Sequence, residues 1–249
     1  MTGPIALVGS GEYLPHMQEL EASLIAGRPA RYVQLPTAAA PEGDQSLQRW
    51  IDLGVAQAHR MGVEAVPLMV RNRQDADSAE IAAQVAGAGL IYMSGGNPGF
   101  LAQTLEGTAV WQAIVQAWQD GAALAGCSAG AMAIADHIPA LRRHGEQRGL
   151  GLLPHIRVLP HFDKMLGWVP DLALRMLQVP GGVHVVGHMS GKCTAVSPPG
   201  CSLPASARSF LPEVFCVHHC DELDVTQLRN FALRLYIPRH RCVTGTSSG

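Results

Sequence analysis

The sequence lacks the features by which several classes of protein are recognised. No stretch reaches the roughly 18 consecutive apolar residues that a membrane-spanning helix needs. Charged residues make up only 15% of the 249 residues, and 18 Lys and Arg against 20 Asp and Glu leave a net charge of −2. Nucleic-acid-binding proteins usually carry a basic excess, and disordered chains are rich in charge. We therefore expect a folded protein that binds neither nucleic acid nor a membrane.

Aromatic residues and cysteines are also few. Only 4 Trp, 4 Tyr and 5 Phe are present, so the core depends on Ala, Val, Leu and Ile. Cys127 is the one cysteine in the first 192 residues, whereas the other five fall in the last 57. The first residues show no basic segment followed by a small-residue cleavage site, so we expect a cytoplasmic protein without a disulfide framework.

Short apolar runs alternate with amphipathic segments in the first half of the chain. Strands are predicted over residues 5–8, 32–35, 63–66, 90–93 and 122–125, and helices over 17–26, 47–61, 79–86 and 109–119. This alternation is typical of a parallel sheet covered on both faces. We predict one α/β domain over residues 1–249, with a doubly wound, mostly parallel sheet sandwiched by helices. The glycine-rich turns after strands one, four and five emerge at the carboxyl edge, where such sheets bind ligands.

The most specific motif is Gly-Cys-Ser-Ala-Gly over residues 126–130, between a predicted strand and a predicted helix. In this context Gly-x-Ser-x-Gly is a nucleophile elbow, a strained turn that holds a serine hydroxyl at the edge of the sheet among small neighbours. Ser128 is therefore the candidate nucleophile. Cys127 precedes the apex, so we expect a buried and inert thiol. A tight turn that serves packing alone is the alternative.

A second glycine-rich turn and a histidine complete the predicted site. Ser-Gly-Gly-Asn over residues 94–97 can bring a backbone N–H group close to a substrate, or can be an ordinary turn. His161 follows a strand predicted over residues 156–159, so we expect it at the edge where Ser128 lies. Imidazole has a pKa that suits a general base.

Together these motifs resemble one family of serine peptidases. The two glycine-rich turns, Gly-Leu-Gly-Leu-Leu over residues 149–153 and Pro-His-Phe over 160–162 resemble the family of cyanophycinase and aspartyl dipeptidase (peptidase E). The resemblance covers about residues 5–187 and implies a class I glutamine amidotransferase-like fold, similar to that of flavodoxin. It also implies hydrolysis of small peptides, often with acidic or modified aspartyl residues, without a metal or an organic cofactor.

The resemblance implies a role for each matching residue. Ser128 matches the nucleophile, and His161 matches the general base. Gly96 and Ala129 match the backbone donors of the oxyanion hole, and Asn97 falls in the loop on the substrate side.

Two departures from the family pattern bear on activity. Leu159 and Pro160 stand where cyanophycinases typically carry Asp-Gln, which argues against cyanophycin as the substrate. After Gly187 the family usually continues with Asp-Glu-x-Thr-Ala, whose Glu orients the histidine in cyanophycinase-like enzymes; here residues 188–195 retain only the Thr-Ala. Asp136 is the nearest candidate for the orienting acid, and Asp163 is another.

Residues 188–249 form an atypical C-terminal segment of the predicted domain. Its cysteine content leads to the hypothesis that the coding frame shifts near residue 187, although residues 224–235 keep the capping and spacing of a helix. Cys-Val-His-His-Cys over residues 216–220 offers four metal-binding side chains without the usual spacers, so we expect no zinc there.

The sequence thus predicts a serine peptidase with a Ser128–His161 pair and a small peptide as its partner. A catalytically impaired family member that binds or regulates is the first alternative, because the orienting acid is missing. A glutamine amidotransferase-like transferase ranks lower, because it would use a cysteine at the elbow apex. A homodimer is an assembly that the sequence leaves open.

Overall fold

A computed structural model describes residues 2–139 and 147–161, without the side chains of His16 and His155, and the backbone of three later strands. The strands are β1 (Ile5–Val8), β2 (Arg31–Leu35), β3 (Glu64–Pro67), β4 (Leu90–Met93), β5 (Ala123–Cys127), β6 (Ala135–Ile138), β7 (Gln147–Arg148), β8 (Leu153–Leu159), β9 (His184–Gly187), β10 (Cys193–Val196) and β11 (Phe215–Val217). The helices are α1 (Pro15–Ile25), α2 (Asp44–Met61), α3 (Arg73–Ala76), α4 (Ala79–Ala83), α5 (Pro98–Leu105), α6 (Ala109–Gln119) and α7 (Ala129–Ile134).

The central sheet has the predicted parallel arrangement. Its strands follow the order β10-β1-β5-β4-β2-β3, in which β1 to β5 are parallel and β10 pairs antiparallel with β1. The non-sequential order is that of a doubly wound sheet, as expected for strands joined by helical crossovers. The pairing of Ile5 with Val196 also places part of the atypical C-terminal segment at the edge of this sheet.

Alternate residues of the central strands enter two hydrophobic clusters, one on each face. Leu7, Ile91 and Leu124 pack with α5, α6 and α7, whereas residues one position away pack with α1 and α2. Because successive side chains of a strand point to opposite faces, this division shows that both faces are covered. The prediction of a sheet sandwiched by helices is therefore confirmed.

Local sequence signals explain several helix boundaries. The Ser78 side chain accepts a hydrogen bond from the Ile81 N–H and caps α4. Pro15 begins α1, where the missing N–H has no helical partner to lose. Gly62 ends α2 with a φ of 69°, a conformation that glycine adopts without strain. Between β2 and α2 the chain forms a 3₁₀ helix, Thr37–Glu42.

The second sheet is the main feature that the sequence did not predict. Its order is β11-β9-β8-β6-β7, and β6 begins directly after α7. The apolar run after residue 130 was expected to continue as helix to Ala135. Instead, α7 ends at Ile134, and Ala135 pairs with Leu153 of β8. A short run of small apolar residues fits either element, and tertiary pairing decided between them.

No helix in the described part of the chain combines the length and the apolar character needed to cross a bilayer. The helix that the sequence predicts over residues 224–235 lies outside the described residues. So does Asp163, the second candidate for the orienting acid.

Candidate active site

Ser128 stands at the turn between β5 and α7. Its φ and ψ are 49° and −106°, a region that residues other than glycine rarely occupy. Its backbone N–H donates to the Val8 carbonyl at 2.8 Å, which ties the turn to the end of β1. This is the strained strand-to-helix geometry of a nucleophile elbow.

The small residues around Ser128 are required by close backbone contacts. A Cβ on Gly126 would lie 2.6 Å from the Gly130 carbonyl carbon, and a Cβ on Gly130 would lie 2.1 Å from the Met93 carbonyl oxygen. Real Cβ atoms do not approach backbone atoms so closely, so α7 can pack on β4 and β5 only with glycine at both positions. The elbow motif therefore reflects packing as well as chemistry.

Cys127 points away from the turn and into the core. It is fully buried, and burial raises the pKa of its thiol well above the usual range. The expectation of a buried thiol at this position is confirmed. A buried thiol with a raised pKa is a poor nucleophile, because the thiolate is the reactive form.

His161 reaches Ser128 from the second sheet. It follows β8, and its Nε2 lies 2.7 Å from the Ser128 Oγ. Its φ of 140° again lies in the left-handed region. The predicted contact is therefore present, but the histidine follows a strand of the second sheet and not of the central sheet. Because Nε2 must accept the hydroxyl proton, the contact is productive when the ring proton is on Nδ1.

The turn after β4 brings Gly96 against the 3₁₀ segment. Gly96 has a φ of 137°, and a Cβ there would lie 2.3 Å from the Ala38 carbonyl oxygen. The same carbonyl accepts the Asn97 N–H at 2.8 Å. Only glycine permits this approach, and both glycine and asparagine are exposed at the carboxyl edge.

Asn97 and Ala129 each begin a helix. The Asn97 Oδ1 accepts the Phe100 N–H at 3.0 Å and caps α5, so this side-chain oxygen has a structural role. Ala129 is the first residue of α7 and is buried. The N–H groups of a first helical turn have no partner within the helix, which leaves the Ala129 N–H suited to bind an anion.

Asp136 lies in β6, away from the elbow. Its Oδ2 is 3.3 Å from Nε2 of His137, the next residue in the chain. The neighbouring pairings of Ala135 with Leu153 and of His137 with Arg157 place Asp136 beside the first half of β8, whereas His161 follows the end of that strand. The partner that the structure records for Asp136 is therefore His137, and its role as the orienting acid stays a prediction.

Glu12 is a residue of the site that the sequence analysis did not single out. A Cβ on Gly95 would lie 2.5 Å from Oε1 of Glu12 and 3.5 Å from Cβ of Ser128. The carboxylate therefore lies beside the elbow, on the loop that follows β1. The glycine-rich turn over residues 9–11 was the available signal, since it was expected at this edge of the sheet.

Metal-binding side chains do not gather in the described part of the chain: no group of three or more His, Cys, Asp or Glu could hold an ion there. The side chains of residues 216–220, the segment weighed as a zinc site, lie outside the described residues.

The elbow, the glycine turn and His161 all fall within the part of the chain that matches a known family. Residues 5–175 match peptidase family S51, and this range holds the elbow, the glycine turn and His161. The chain belongs to peptidase family S51. The family named from the sequence motifs is therefore confirmed.

Curated relatives of the chain include cyanophycinases. The cyanophycinase of Trichormus variabilis is 28% identical over 171 residues, which are 64% of this chain and 56% of the relative. That of Synechococcus elongatus is 26% identical over 211 residues, 74% of this chain and 65% of the relative. The chain thus spans between 56% and 65% of the length of these relatives.

Solved structures support the fold. A crystal structure of a peptidase from an acI-B1 Actinobacterium is 42% identical, with a TM-score of 0.73 over 79% of this chain and 84% of the other. A Listeria monocytogenes protein described as a peptidase E is 17% identical, with a TM-score of 0.56 over 79% of this chain and 95% of the other. The second likeness concerns the fold alone.

Proposed function

We propose that this S51 protein is a serine peptidase that hydrolyses small peptides through a Ser128–His161 pair. The observation that carries the proposal is the 2.7 Å contact between the Ser128 Oγ and the His161 Nε2. It unites a hydroxyl on a strained elbow with a group able to take its proton. The peptidase relatives support the same reaction class.

The proposed reaction has two stages. The Ser128 Oγ attacks the scissile carbonyl carbon while His161 accepts the hydroxyl proton, and the N–H groups of Gly96 and Ala129 stabilise the oxyanion. The C–N bond then breaks, and His161 returns the proton to the leaving amine. In the second stage His161 takes a proton from water, the hydroxide attacks the acyl ester, and Ser128 recovers its proton as the acid product leaves.

Hydrolysis of a panel of aspartyl and other short peptides tests the proposal. The wild type should cleave at least one of them, and Ser128→Ala should reduce kcat by about 10³-fold or more. A fluorophosphonate probe should label the wild type and not the variant. Equal hydrolysis by both proteins would remove Ser128 from the mechanism.

A binding or regulatory protein of the same fold is the second candidate. The sequence departure after Gly187 favours it: residues 188–195 lack the Glu that orients the histidine in cyanophycinase-like enzymes, and removal of the orienting acid in other triads costs up to about 10⁴-fold in turnover. Folded protein that binds the peptides but neither cleaves them nor reacts with the probe would support this candidate. A cytoplasmic location stays a prediction of the sequence, which leaves a homodimer open.

A further inference from the structure

We propose that Glu12 is a specificity-determining residue of this site. Its carboxylate binds the α-ammonium group of a peptide whose first peptide bond is cleaved. The inference rests on the proposed function, because it takes Ser128 as the nucleophile. It assigns a substrate group to a residue outside the elbow, the histidine turn and the oxyanion hole.

Glu12 lies close to Ser128, and two distances from Gly95 limit how far apart they are. A Cβ added to Gly95 would lie 2.5 Å from the Glu12 Oε1 and 3.5 Å from the Ser128 Cβ. The carboxylate oxygen and the serine Cβ are therefore separated by at most the sum of these lengths, about 6 Å, a gap that a few covalent bonds can fill. Gly95 keeps the space between them open.

The loop after β1 holds Glu12 in this direction. Gly11 and Tyr13, the residues on either side, have φ values of 92° and 61°. A left-handed tyrosine is uncommon, and such strain persists only where packing enforces it. Here the ring is buried 5.4 Å from the ring of Tyr92, and the Tyr13 carbonyl accepts a hydrogen bond from Arg60 at 3.1 Å. The anchored tyrosine therefore fixes the course of the chain at Glu12.

The carboxylate itself lies close to the buried thiol of the elbow. Burial raises the pKa of the Cys127 thiol, and the nearby negative charge of Glu12 raises it further. The two oxygens of a carboxylate offer about four acceptor sites. Glu12 is also partly exposed. The side chain is thus oriented by the protein and retains acceptor capacity for a ligand.

Charge and distance together select the ligand. A carboxylate beside a developing oxyanion repels anions and attracts a cation. In a peptide cut behind its first residue, the α-nitrogen lies two bonds, about 2.5 Å, from the scissile carbon. A charge-assisted hydrogen bond adds about 2.8 Å. With a bend at each bond, these lengths fit within the upper limit of about 6 Å between the Ser128 Cβ and the Glu12 Oε1, whereas the charge of a lysine or arginine side chain lies several bonds farther from the scissile carbon.

Blocking the amine of the substrate tests the assignment. Aspartyl-alanine and alanyl-alanine are compared with their N-acetyl derivatives, using the full chain. The wild type should show a kcat/KM about 10- to 100-fold higher for the free peptides, the range expected for a hydrogen bond between charged groups. Glu12→Gln should lower kcat/KM for the free peptides by that factor and leave the acetylated peptides within about twofold.

The matched control is Glu106→Gln. Glu106 is an exposed carboxylate just after α5, and its replacement makes the same change of charge elsewhere. This variant should keep the full preference for free peptides. Equal cleavage of free and acetylated peptides by the wild type would overturn the proposal. So would an equal loss on both kinds of peptide in Glu12→Gln, since Glu12 would then position Ser128 instead of binding substrate.

A binding measurement separates this proposal from the proposed function. In the Ser128→Ala background, calorimetry should find that the free peptides bind about 10-fold more tightly than the acetylated ones, and that Glu12→Gln abolishes the difference. Absence of hydrolysis by the wild type would contradict the peptidase function without deciding the role of Glu12. Equal binding of free and acetylated peptides would contradict the role of Glu12 whatever the turnover.

Discussion

Ser128 and His161 meet at 2.7 Å although they follow strands of different sheets and lie 33 positions apart in the chain. Both have backbone φ angles in the left-handed region, 49° and 140°. Such conformations cost about 1–3 kcal/mol each and persist where the surrounding structure enforces them. The fold therefore maintains two strained residues at the point where their side chains touch.

Replacement of the histidine tests whether this contact matters for turnover. Glutamine keeps the size and polarity of the side chain but cannot accept the Ser128 proton as a base. We expect His161→Gln to lower kcat by about 10³-fold or more, with little change in unfolding free energy. Peptide hydrolysis and urea unfolding measure the two effects. Retention of more than a tenth of the wild-type kcat would mean that another group takes the proton.

A methyl group at Gly130 should disturb the elbow through packing. In Gly130→Ala the new Cβ would meet the Met93 carbonyl oxygen at 2.1 Å, a backbone atom that cannot move aside without shifting β4. We expect the unfolding free energy to fall by about 1–3 kcal/mol or more, and peptidase activity to fall with it. Denaturant unfolding and probe labelling of Ser128 measure the two losses.

Gly27→Ala is the control for that substitution. Gly27 has a φ of 74° and nothing within 4 Å of an added Cβ. Its replacement adds only backbone strain, about 1–2 kcal/mol, and should leave Ser128 labelling unchanged. If Gly130→Ala kept full labelling and cost no more than this control, the close contact would not constrain the elbow.

The buried carboxyl of Glu21 should make stability depend on pH. Burial raises its pKa from 4.5 to about 7, although Gln57, Tyr32 and Arg60 lower it. The Tyr32 hydroxyl donates to its Oε2 at 3.1 Å. The folded state therefore holds a proton that the unfolded state has lost, so the unfolding free energy should fall by about 3 kcal/mol as pH rises from about 4.5 to 7, and then level off.

Urea unfolding at a series of pH values measures this slope. Glu21→Gln keeps a neutral side chain of similar shape and should flatten the curve between pH 4.5 and 7. Glu106→Gln changes an exposed carboxylate and should leave the slope in place. A slope that survives in Glu21→Gln would assign the pH dependence to other groups.

Cys127 should resist alkylation while the protein is folded. The thiol is fully buried, and its raised pKa keeps it protonated near neutral pH. We expect mass spectrometry to find residue 127 unmodified after iodoacetamide treatment of folded protein, and modified in urea. Modification of Cys127 in the folded state at the rate seen in urea would show that the elbow opens to solvent.

Local patterns predicted the central sheet well. The strand over residues 5–8 and the helix over 109–119 have the predicted bounds, because strong periodicity and clear turn residues define them. Strand β6 was missed, because Ala133 near the end of α7 and Ala135 at the start of β6 are small apolar residues that fit helix and strand alike. Pairing of Ala135 with Leu153 is a long-range contact that no local window contains.

By itself, the sequence determined the elbow, the alternation of strands and helices, and the family. These depend on backbone conformation and on side-chain periodicity, both of which neighbouring residues dictate. Only the tertiary structure decided that His161 arrives from a second sheet, that Asp136 pairs with His137, and that Glu12 faces Ser128 across Gly95. Such contacts depend on how distant segments pack, and packing is set by the shape of the whole core.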